Sequence, residues 1–373
     1  MIAVIGAGIG GLSLALALRR VGLPVTVYEA AADLTPVGAG IGLWPGALKA
    51  LREIGVADWF WELPVCPFRW AQTSTPAGRP LVGFDVLSMT GGLGYVVRRA
   101  DLQAALREPL DCALETSRRL AEVRVSKGIE LRFEDGGSAR ADLVIGADGL
   151  NSRLRQIMLG DDPARFSGET AYRGMADFAM ADPGLMMEIQ GGGVRGAVHA
   201  IDADHVYWWV AQRAAAGGAS RSRADVLAAL ADWVGELPDA VAATPDGSIL
   251  RNDIYDRPAV ARWSAGPLCL IGDAAHPTTP NLGLGGCMAI EDALVLARAL
   301  SQDPSPGAFT VYEAQRLARA REVVTASRWM GRLGSIPDAR VERLWRRLST
   351  ATPDRVAAGL LARQVTYDPG PLV

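Results

Sequence analysis

The sequence is poor in the residues on which metal centres and disulfide scaffolds depend. Its 373 residues include four cysteines and three histidines, and the cysteines lie far apart, with no Cys-x-x-Cys pair. Neither a structural zinc site nor a disulfide framework is expected from that spacing. We predict no metal ligands in this chain.

Concentrations of charge are also missing. All but two of the 38 basic residues are arginines, they are scattered along the chain, and the formal net charge is −3. This distribution does not supply the basic patch with which a protein holds nucleic acid. We therefore expect a small molecule as the partner, and neither nucleic acid nor an obligate protein partner.

No stretch has the length and apolar character of a membrane span. Residues 1–18 carry no charge, but glycines interrupt them, and they lack the basic start and cleavage-like site of a signal peptide. Hydrophobic residues make up 49% of the chain and charged residues 21%, which is ordinary for a folded globular protein. We expect a cytoplasmic protein that does not bind membranes and that consists of two packed domains or of one domain with a large insertion.

The N-terminal segment has the pattern of a dinucleotide-binding unit. Gly6, Gly8 and Gly11 form a Gly-x-Gly-x-x-Gly turn between an apolar run and a helical segment, and Glu29 ends the next β-rich run. Such glycines permit a tight turn and a close approach of backbone to a pyrophosphate at the helix N-terminus. The acidic residue accepts hydrogen bonds from ribose hydroxyls. The predicted elements are a strand at 2–5, a helix at 12–21 and a strand at 25–28.

Two later motifs decide which dinucleotide is bound. Asp148-Gly149-x-x-Ser152-x-x-Arg155 follows an apolar strand pattern, and Gly272-Asp273-Ala274-Ala275-His276 follows another, with Pro280 and Gly283-x-Gly285 beyond it. Together with the first turn, these motifs resemble the three signatures of the single-component flavin-dependent aromatic hydroxylases, the para-hydroxybenzoate hydroxylase-like superfamily. The resemblance covers nearly the whole chain, and it implies FAD as the cofactor.

Further segments resemble the subgroup of urate hydroxylases, salicylate hydroxylases and zeaxanthin epoxidases. They are Val37-Gly38-Ala39-Gly40-Ile41, Trp44-Pro45, Arg99-Ala100-Asp101-Leu102, Tyr172-Arg173-Gly174 and the run from Gly285 to Asp292. The fold implied is α/β: a Rossmann-like FAD-binding domain, an inserted and mostly antiparallel β-sheet substrate domain, and a helical C-terminus. The predicted boundaries are 1–70, 96–165 and 266–305 for the FAD-binding domain, 71–95 and 166–265 for the substrate domain, and 306–373 for the C-terminal segment.

The resemblance also implies roles for particular cofactor residues. Asp273 would hydrogen-bond the ribityl chain, Arg99 would contact the ribityl and phosphate region, and Asp148 and Arg155 would serve the pyrophosphate and NAD(P)H. Pro280 would lie beside the flavin where oxygen reacts.

A glycine-rich loop that enters a helix near Met288 completes the predicted cofactor site. Its backbone N–H groups and helix end suit the negative charge of a reduced isoalloxazine. Leu284 replaces the glutamine usual in the family, which implies a more apolar pocket. Cys287 is interpreted as a small buried residue in preference to a redox thiol. The predicted cofactor residues of this second motif are Gly272, Asp273, Gly283, Gly285, Gly286 and Cys287.

Arg195 and Tyr207 are the first candidates for contact with the substrate. Their spacing resembles an Arg and Tyr pair of urate hydroxylase-like enzymes, in which the arginine stabilises developing negative charge and the tyrosine orients the substrate. Trp209 shares a strand face with Tyr207. Two alternatives stay open: Arg195 as an ion-paired arginine with Tyr207 as a core aromatic, and Arg173 as an interdomain contact instead of a pocket residue.

The reaction implied is hydroxylation or epoxidation of an aromatic or heteroaromatic molecule. In this family NAD(P)H reduces FAD, the reduced flavin traps O2 as a C4a-hydroperoxide, and the distal oxygen is transferred to the substrate. A flavin-dependent reductase or dehydrogenase of the same fold and a non-catalytic FAD- and ligand-binding protein remain as alternatives. The arginines near the C-terminus are interpreted as a solvated helix face and not as a membrane surface: Arg340, Arg343, Arg346 and Arg347.

Overall fold

The computed structural model describes residues 1–34, 39–160, 163–218 and 222–373. Val37 and Gly38, two residues of the subgroup motif, lie outside these ranges. The strands are β1 (Ile2–Ile5), β2 (Val25–Tyr28), β3 (Gly40–Leu43), β4 (Trp70–Ser74), β5 (Pro80–Asp85), β6 (Tyr95–Arg98), β7 (Ala113–Glu115), β8 (Leu120–Val125), β9 (Ile129–Phe133), β10 (Ser138–Ala141), β11 (Leu143–Gly146), β12 (Arg165–Asp177), β13 (Leu185–Gly191), β14 (Val194–Ala200), β15 (His205–Arg213), β16 (Leu250–Asp256), β17 (Ser264–Ala265) and β18 (Leu268–Leu270).

The helices fall into two groups along the chain: some come between strands in the sequence, and the others follow the last strand. They are α1 (Ile9–Arg20), α2 (Pro45–Ile54), α3 (Val86–Thr90), α4 (Arg99–Arg107), α5 (Arg153–Leu159), α6 (Arg223–Ala229), α7 (Glu236–Ala243), α8 (Gly285–Gln302), α9 (Gly307–Gly334), α10 (Ala339–Ala351) and α11 (Asp354–Val365). Short 3-10 turns cover Asp58–Glu62, Gly272–Ala274 and Pro280–Leu282. No helix of the described ranges is long and apolar enough to cross a membrane.

A six-stranded sheet carries the predicted dinucleotide-binding unit. Its order is β17-β18-β11-β1-β2-β7, and every neighbouring pair is parallel except β17 with β18. Its central strands are apolar throughout, as parallel strands covered on both faces must be. Helices α1 and α8 pack on each other within this core. The predicted βαβ unit is confirmed, with the helix beginning at Ile9, three residues before the predicted start.

A seven-stranded sheet forms the second layer. Its order is β16-β12-β15-β14-β13-β4-β5, and only the β13–β4 pair is parallel. Side chains alternate between its faces. One face is apolar and buries Trp208, Val198 and Val210 against α6 and α7, and the indole Nε1 of Trp208 donates to Thr244 Oγ1 at 2.7 Å. The opposite face carries the predicted pocket residues.

For the segment after β15 the sequence predicts one helix that begins near Ser222 and includes Leu227, Leu230 and Trp233; its start is confirmed, but its predicted extent is wrong. The capping box is present, because Ser222 Oγ accepts from the Asp225 backbone and the Asp225 carboxylate accepts from the Ser222 backbone. The helix nevertheless ends at Ala229, and a second helix, α7, follows Gly235. The chain leaves the helical conformation at Leu230, which has φ −110° and ψ 11° and donates its N–H to the Leu227 oxygen, so the helix stops before Trp233.

Two smaller sheets and the C-terminal helices complete the fold. Strands β8, β9 and β10 form an antiparallel sheet, and β3 pairs with β6. Helix α9 packs on α8, and α11 packs against β5 and α3.

Candidate functional site

The glycine turn between β1 and α1 has two glycines that the fold needs and one that faces open space. Gly6 has φ +102°, and a Cβ there would lie 2.6 Å from the Ala147 carbonyl oxygen. A Cβ on Gly11 would lie 1.9 Å from the Gly6 oxygen. Gly8 is the N-cap of α1, and a Cβ there would meet no heavy atom within 4 Å. The N-terminus of α1 therefore opens onto free space, which is the arrangement that an anionic phosphate group requires.

Glu29 lies at the edge of this space, directly after β2. Its Oε2 accepts from the backbone N–H of Ala7 at 2.7 Å, and its Oε1 accepts from that of Ala31 at 2.8 Å. Both bonds hold the carboxylate beside the glycine turn. This is where a carboxylate that binds ribose hydroxyls is needed in such a unit.

Asp148 and Arg155 have partners inside the protein. The Asp148 carboxylate accepts from Ser152 Oγ at 2.5 Å and from the Arg153 backbone at 2.7 Å, so it stabilises the start of α5. Arg155 is buried and donates from one guanidinium nitrogen to the carbonyl oxygens of Ala274 and Ala275, at 3.1 and 2.9 Å. These two side chains thus shape the loops around the open space.

A buried ionic network fixes the turn that contains Asp273. Asp292 accepts from the Gly272 backbone at 2.9 Å, lies 2.6 Å from His276 Nε2, and accepts from Arg316 Nε at 2.7 Å. Arg316 also pairs with Glu291 at 2.8 Å. Burial alone would raise the pKa of Asp292, but His276, Arg316 and the Gly272 N–H outweigh it and hold that pKa below its usual range.

Asp273, Arg99, Arg173 and Tyr207 border one region, which we call the cleft, because they act on one another electrostatically in that order. The Asp273 side chain is exposed, and yet the surrounding protein raises its pKa through desolvation. Arg99 is half-buried, its pKa is lowered by desolvation, and both Asp273 and Arg173 act on it electrostatically. Within the described ranges the Arg173 side chain has no hydrogen-bond or ion-pair partner, whereas its backbone pairs with Trp209 and Leu250 in the sheet. One carboxylate and two cations therefore border this cleft.

The start of α8 supplies the next part of the site. Gly283 has φ +63° and lets the chain turn into the helix, and a Cβ on Gly286 would lie 2.6 Å from Ile41 Cδ1. Cys287 is fully buried and donates from Sγ to the Gly42 oxygen at 3.4 Å. Burial raises the pKa of this thiol to about 12, so it is neutral at physiological pH. Leu284 is 1% exposed and packs in the core.

An aromatic row forms the opposite side of the cleft. Ring centroids lie 5.7 Å apart from Trp44 to Phe68, 5.7 Å from Phe68 to His199 and 6.4 Å from His199 to Tyr207. A Cβ on Gly40 would lie 2.5 Å from Tyr207 Cγ, so β3 touches this ring. Burial raises the pKa of Tyr207 and lowers that of His199 to about 4, so both side chains are neutral near pH 7.

Arg195 shares this sheet face but is an ion-paired residue. It is 1% exposed; one guanidinium nitrogen donates to Asn281 Oδ1 at 2.6 Å and to Glu169 at 3.3 Å, and the other pairs with Glu188 at 3.5 Å. Its guanidinium also lies 5.7 Å from the Trp209 ring. Arg195 thereby ties the sheet to the 3-10 turn that begins at exposed Pro280, and the structure gives it no open position toward the cleft.

Comparison with known proteins identifies the family. The sequence matches the FAD binding domain family over residues 1–327, which is most of the chain. The chain belongs to the FAD binding domain family. The match confirms the predicted family and FAD as its cofactor.

Several relatives within this family are similar along their whole length. Aurachin C monooxygenase/isomerase from Stigmatella aurantiaca is 34% identical, with 95% of each chain covered. FAD-dependent urate hydroxylase from Klebsiella pneumoniae is 33% identical, with 96% of each covered. The crystal structure of Klebsiella pneumoniae HpxO complexed with FAD and uric acid has a TM-score of 0.89 and 30% identity, covering 100% of this chain and 98% of that chain.

The predicted residues form two sets in the structure. One set lines or builds the open space and comprises Gly6, Gly8, Gly11, Glu29, Arg99, Gly272, Asp273, Gly283, Gly285 and Gly286. Tyr207, Trp209 and Arg173 share one sheet face across from it, because Arg173 pairs directly with Trp209 in the β12–β15 register. His199, Phe68 and Asn281 are not predicted from the sequence as site residues, although the even spacing of His199 from Arg195 places both on one strand face.

Proposed function

We propose that this protein is an FAD-dependent monooxygenase that hydroxylates or epoxidises an aromatic or heteroaromatic small molecule, using O2 and NADH or NADPH. The observation that carries the proposal is the proximity of the two sides of the cleft: Asp273 and Arg173 act electrostatically on Arg99, and Arg173 acts on Tyr207. On one side lie the open N-terminus of α1, the Asp273 turn and the start of α8, and on the other lies an aromatic row. Bound FAD supplies the activation of O2, which protein side chains cannot perform.

The residues of the first side would hold FAD. Gly8 and the α1 N-terminus would face the pyrophosphate, and Glu29 would accept from the adenosine ribose. Asp273 and Arg99 would bind the ribityl region. The backbone N–H groups at the start of α8 would stabilise negative charge on the isoalloxazine ring.

Asp148 and Arg155 would support this site through the backbone that they hold. Their side chains bond to the start of α5 and to the Asp273 turn, so each would place a loop beside the cofactor. A direct contact with NAD(P)H would require them to exchange those partners.

The aromatic side of the cleft would receive the substrate ring. Tyr207 and Trp209 offer flat apolar surface, and the neutral Tyr207 hydroxyl is able to donate a hydrogen bond to a substrate heteroatom. Arg173 would attract an anionic group of the substrate, since its side chain has no hydrogen-bond or ion-pair partner within the described residues. Arg195 would act on Pro280 by positioning its turn through Asn281. Such apolar walls also keep water from the reacting atoms.

The experiment combines flavin spectroscopy with oxygen uptake. The FAD-loaded protein is given NADH or NADPH and a panel of phenols, indoles, purines and quinolines in an oxygen electrode. We expect ligand-stimulated oxygen uptake and an oxygenated product. Nicotinamide oxidation with a reduced product and no oxygen uptake would establish a reductase instead, and bound flavin without any turnover would establish a binding protein.

Site variants test the assignment within the cleft. Tyr207→Phe is expected to lower the amount of product formed per O2 consumed several-fold, because the substrate loses a hydrogen bond that orients it. Tyr255→Phe, on an outer strand of the same sheet and paired with Phe166, is the matched control. Equal coupling in Tyr207→Phe and the control would refute this placement of the substrate.

A further inference from the structure

Large exposed apolar side chains are concentrated near the C-terminus. On α10, Val341, Leu344 and Leu348 are 52%, 58% and 55% exposed. On α11, Val356 and Leu360 are 46% and 65% exposed. Contiguous apolar surface of this kind on a folded protein marks an interaction site more often than isolated exposed residues do.

Helix α10 is oriented with its polar side toward the protein. Glu342 accepts from the Gly192 backbone at 3.3 Å and also pairs with Arg346, which itself lies beside Gly191. These contacts seat the helix on the turn between β13 and β14. At 100° per residue, the apolar stripe of Val341, Leu344 and Leu348 falls away from that contact, toward solvent.

Arginines border the exposed stripe. Arg340, Arg343 and Arg347 occupy the helix sector next to Leu344, and all three side chains are exposed. Residues 329–365 contain seven arginines and three acidic residues, a net charge of +4, in a chain whose total is −3. The most apolar part of the surface is therefore also strongly positive.

We propose that α10, with the exposed side of α11, docks this protein on the surface of an anionic lipid bilayer. An apolar stripe bordered by arginines is the pattern of a helix that lies in the membrane interface, where apolar side chains enter the acyl boundary and cations meet lipid phosphates. This goes beyond the proposed monooxygenase activity, and it revises the sequence-based interpretation of these arginines as a solvated face.

The positive charge of this surface favours an anionic bilayer over a second copy of the chain as its binding partner. A two-fold symmetric contact through α10 would bring two segments of charge +4 together. Like charges brought together in this way oppose association. An anionic bilayer satisfies both the apolar stripe and its arginine border.

Vesicle sedimentation of the full-length FAD-loaded protein tests the proposal. We expect binding to vesicles of phosphatidylcholine mixed with phosphatidylglycerol, at least tenfold weaker binding to phosphatidylcholine alone, and weakening with added salt. The variant Leu344→Glu/Leu348→Glu is expected to lose binding at least tenfold. Val125→Glu, at an equally exposed valine on β8, is the control and is expected to bind like the unchanged protein.

Several results would overturn the proposal. Equal sedimentation with both vesicle types would show that anionic lipid is not recognised. Unchanged binding of the Leu344→Glu/Leu348→Glu variant would show that the contact with the bilayer lies elsewhere on the protein. Absence of vesicle binding, with light scattering that shows a dimer dissociated by the same variant, would assign the stripe to a second copy. Because these leucines touch no part of the cofactor cleft, flavin content and turnover in vesicle-free buffer report separately on the proposed function.

Discussion

Replacing Gly8 by alanine is expected to weaken FAD binding while leaving the stability of the fold nearly unchanged. Gly8 has φ −72° and ψ −178°, an extended conformation that alanine adopts without strain. Its Cβ would meet no heavy atom within 4 Å. The folded protein therefore has room for the methyl group, and the substitution acts mainly on whatever occupies that space.

The expected magnitudes follow from these two facts. Alanine is a poorer N-cap than glycine, at a cost of up to about 1 kcal/mol, whereas its lower freedom in the unfolded chain returns about 0.4–1 kcal/mol. The free energy of unfolding of the apoprotein should change by less than about 1 kcal/mol. A phosphate that approaches the helix N-terminus meets the new methyl group, and we expect FAD to bind at least tenfold more weakly, a loss of about 1.4 kcal/mol or more.

Gly11→Ala is the matched comparison. Its Cβ would lie 1.9 Å from the Gly6 oxygen, so the turn itself must move, and we expect the apoprotein to lose about 1–3 kcal/mol or more. Flavin-fluorescence titration measures FAD affinity, and urea unfolding of the apoproteins measures stability. If Gly8→Ala binds FAD as tightly as the unchanged protein does, the pyrophosphate does not lie at this turn and the reasoning is refuted.

Three further predictions concern buried charge. The unchanged protein should lose up to about 3 kcal/mol of unfolding free energy as pH falls from about 6.5 to about 4, because the folded state resists protonation of the His199 imidazole. His199→Phe should remove this loss. Equal pH slopes of the two proteins in urea titrations would contradict this. Arg195→Met should lower the free energy of unfolding by about 3–5 kcal/mol, because it leaves the Glu188 carboxylate without its partner. The loss should be smaller at pH 5 than at pH 8, since burial raises the pKa of Glu188 and favours its protonation. A loss that does not depend on pH would argue against that carboxylate as the cause. Asp292→Asn should lower both the melting temperature and the affinity for FAD, because it loosens the Gly272 turn. The control Asp368→Asn, at an exposed ion pair with Lys49, should change neither. Normal FAD affinity in Asp292→Asn would show that the buried ionic network does not support cofactor binding.

The fold was predictable where local pattern and global structure agree. The strand, glycine turn and helix at the N-terminus are specified by apolar periodicity and by glycines whose positions admit no side chain, as Gly6 and Gly11 illustrate. The start of α6 was predictable for the same reason, because the Ser222 and Asp225 bonds are local. Its end was not, because the chain turns at Leu230, where no glycine or proline marks a helix break in the sequence.

Long-range pairing limited what could be predicted of the site. Spacing and resemblance drew attention to Arg195, but its partners Glu169, Glu188 and Asn281 come from distant segments, and no local pattern reveals them. The same holds for His199, whose neighbour Phe68 lies far away along the chain. Sequence therefore indicates which residue types face the cleft, whereas tertiary contacts decide which of them keep a free polar group.

The single parallel pairing in the seven-stranded sheet has a consequence for how the molecule is made. Trp70 pairs with Leu185, so the hairpin of β4 and β5 leaves the ribosome more than a hundred residues before the strand that receives it. In the other sheet, β11 is synthesised long before its neighbour β18, which ends at residue 270, and α8 is synthesised later still. Contacts so distant in sequence form slowly, since loop closure must precede them. Folding during synthesis thus leaves unpaired strand edges exposed until β18 has been made, and the site for FAD is complete only once α8 follows it.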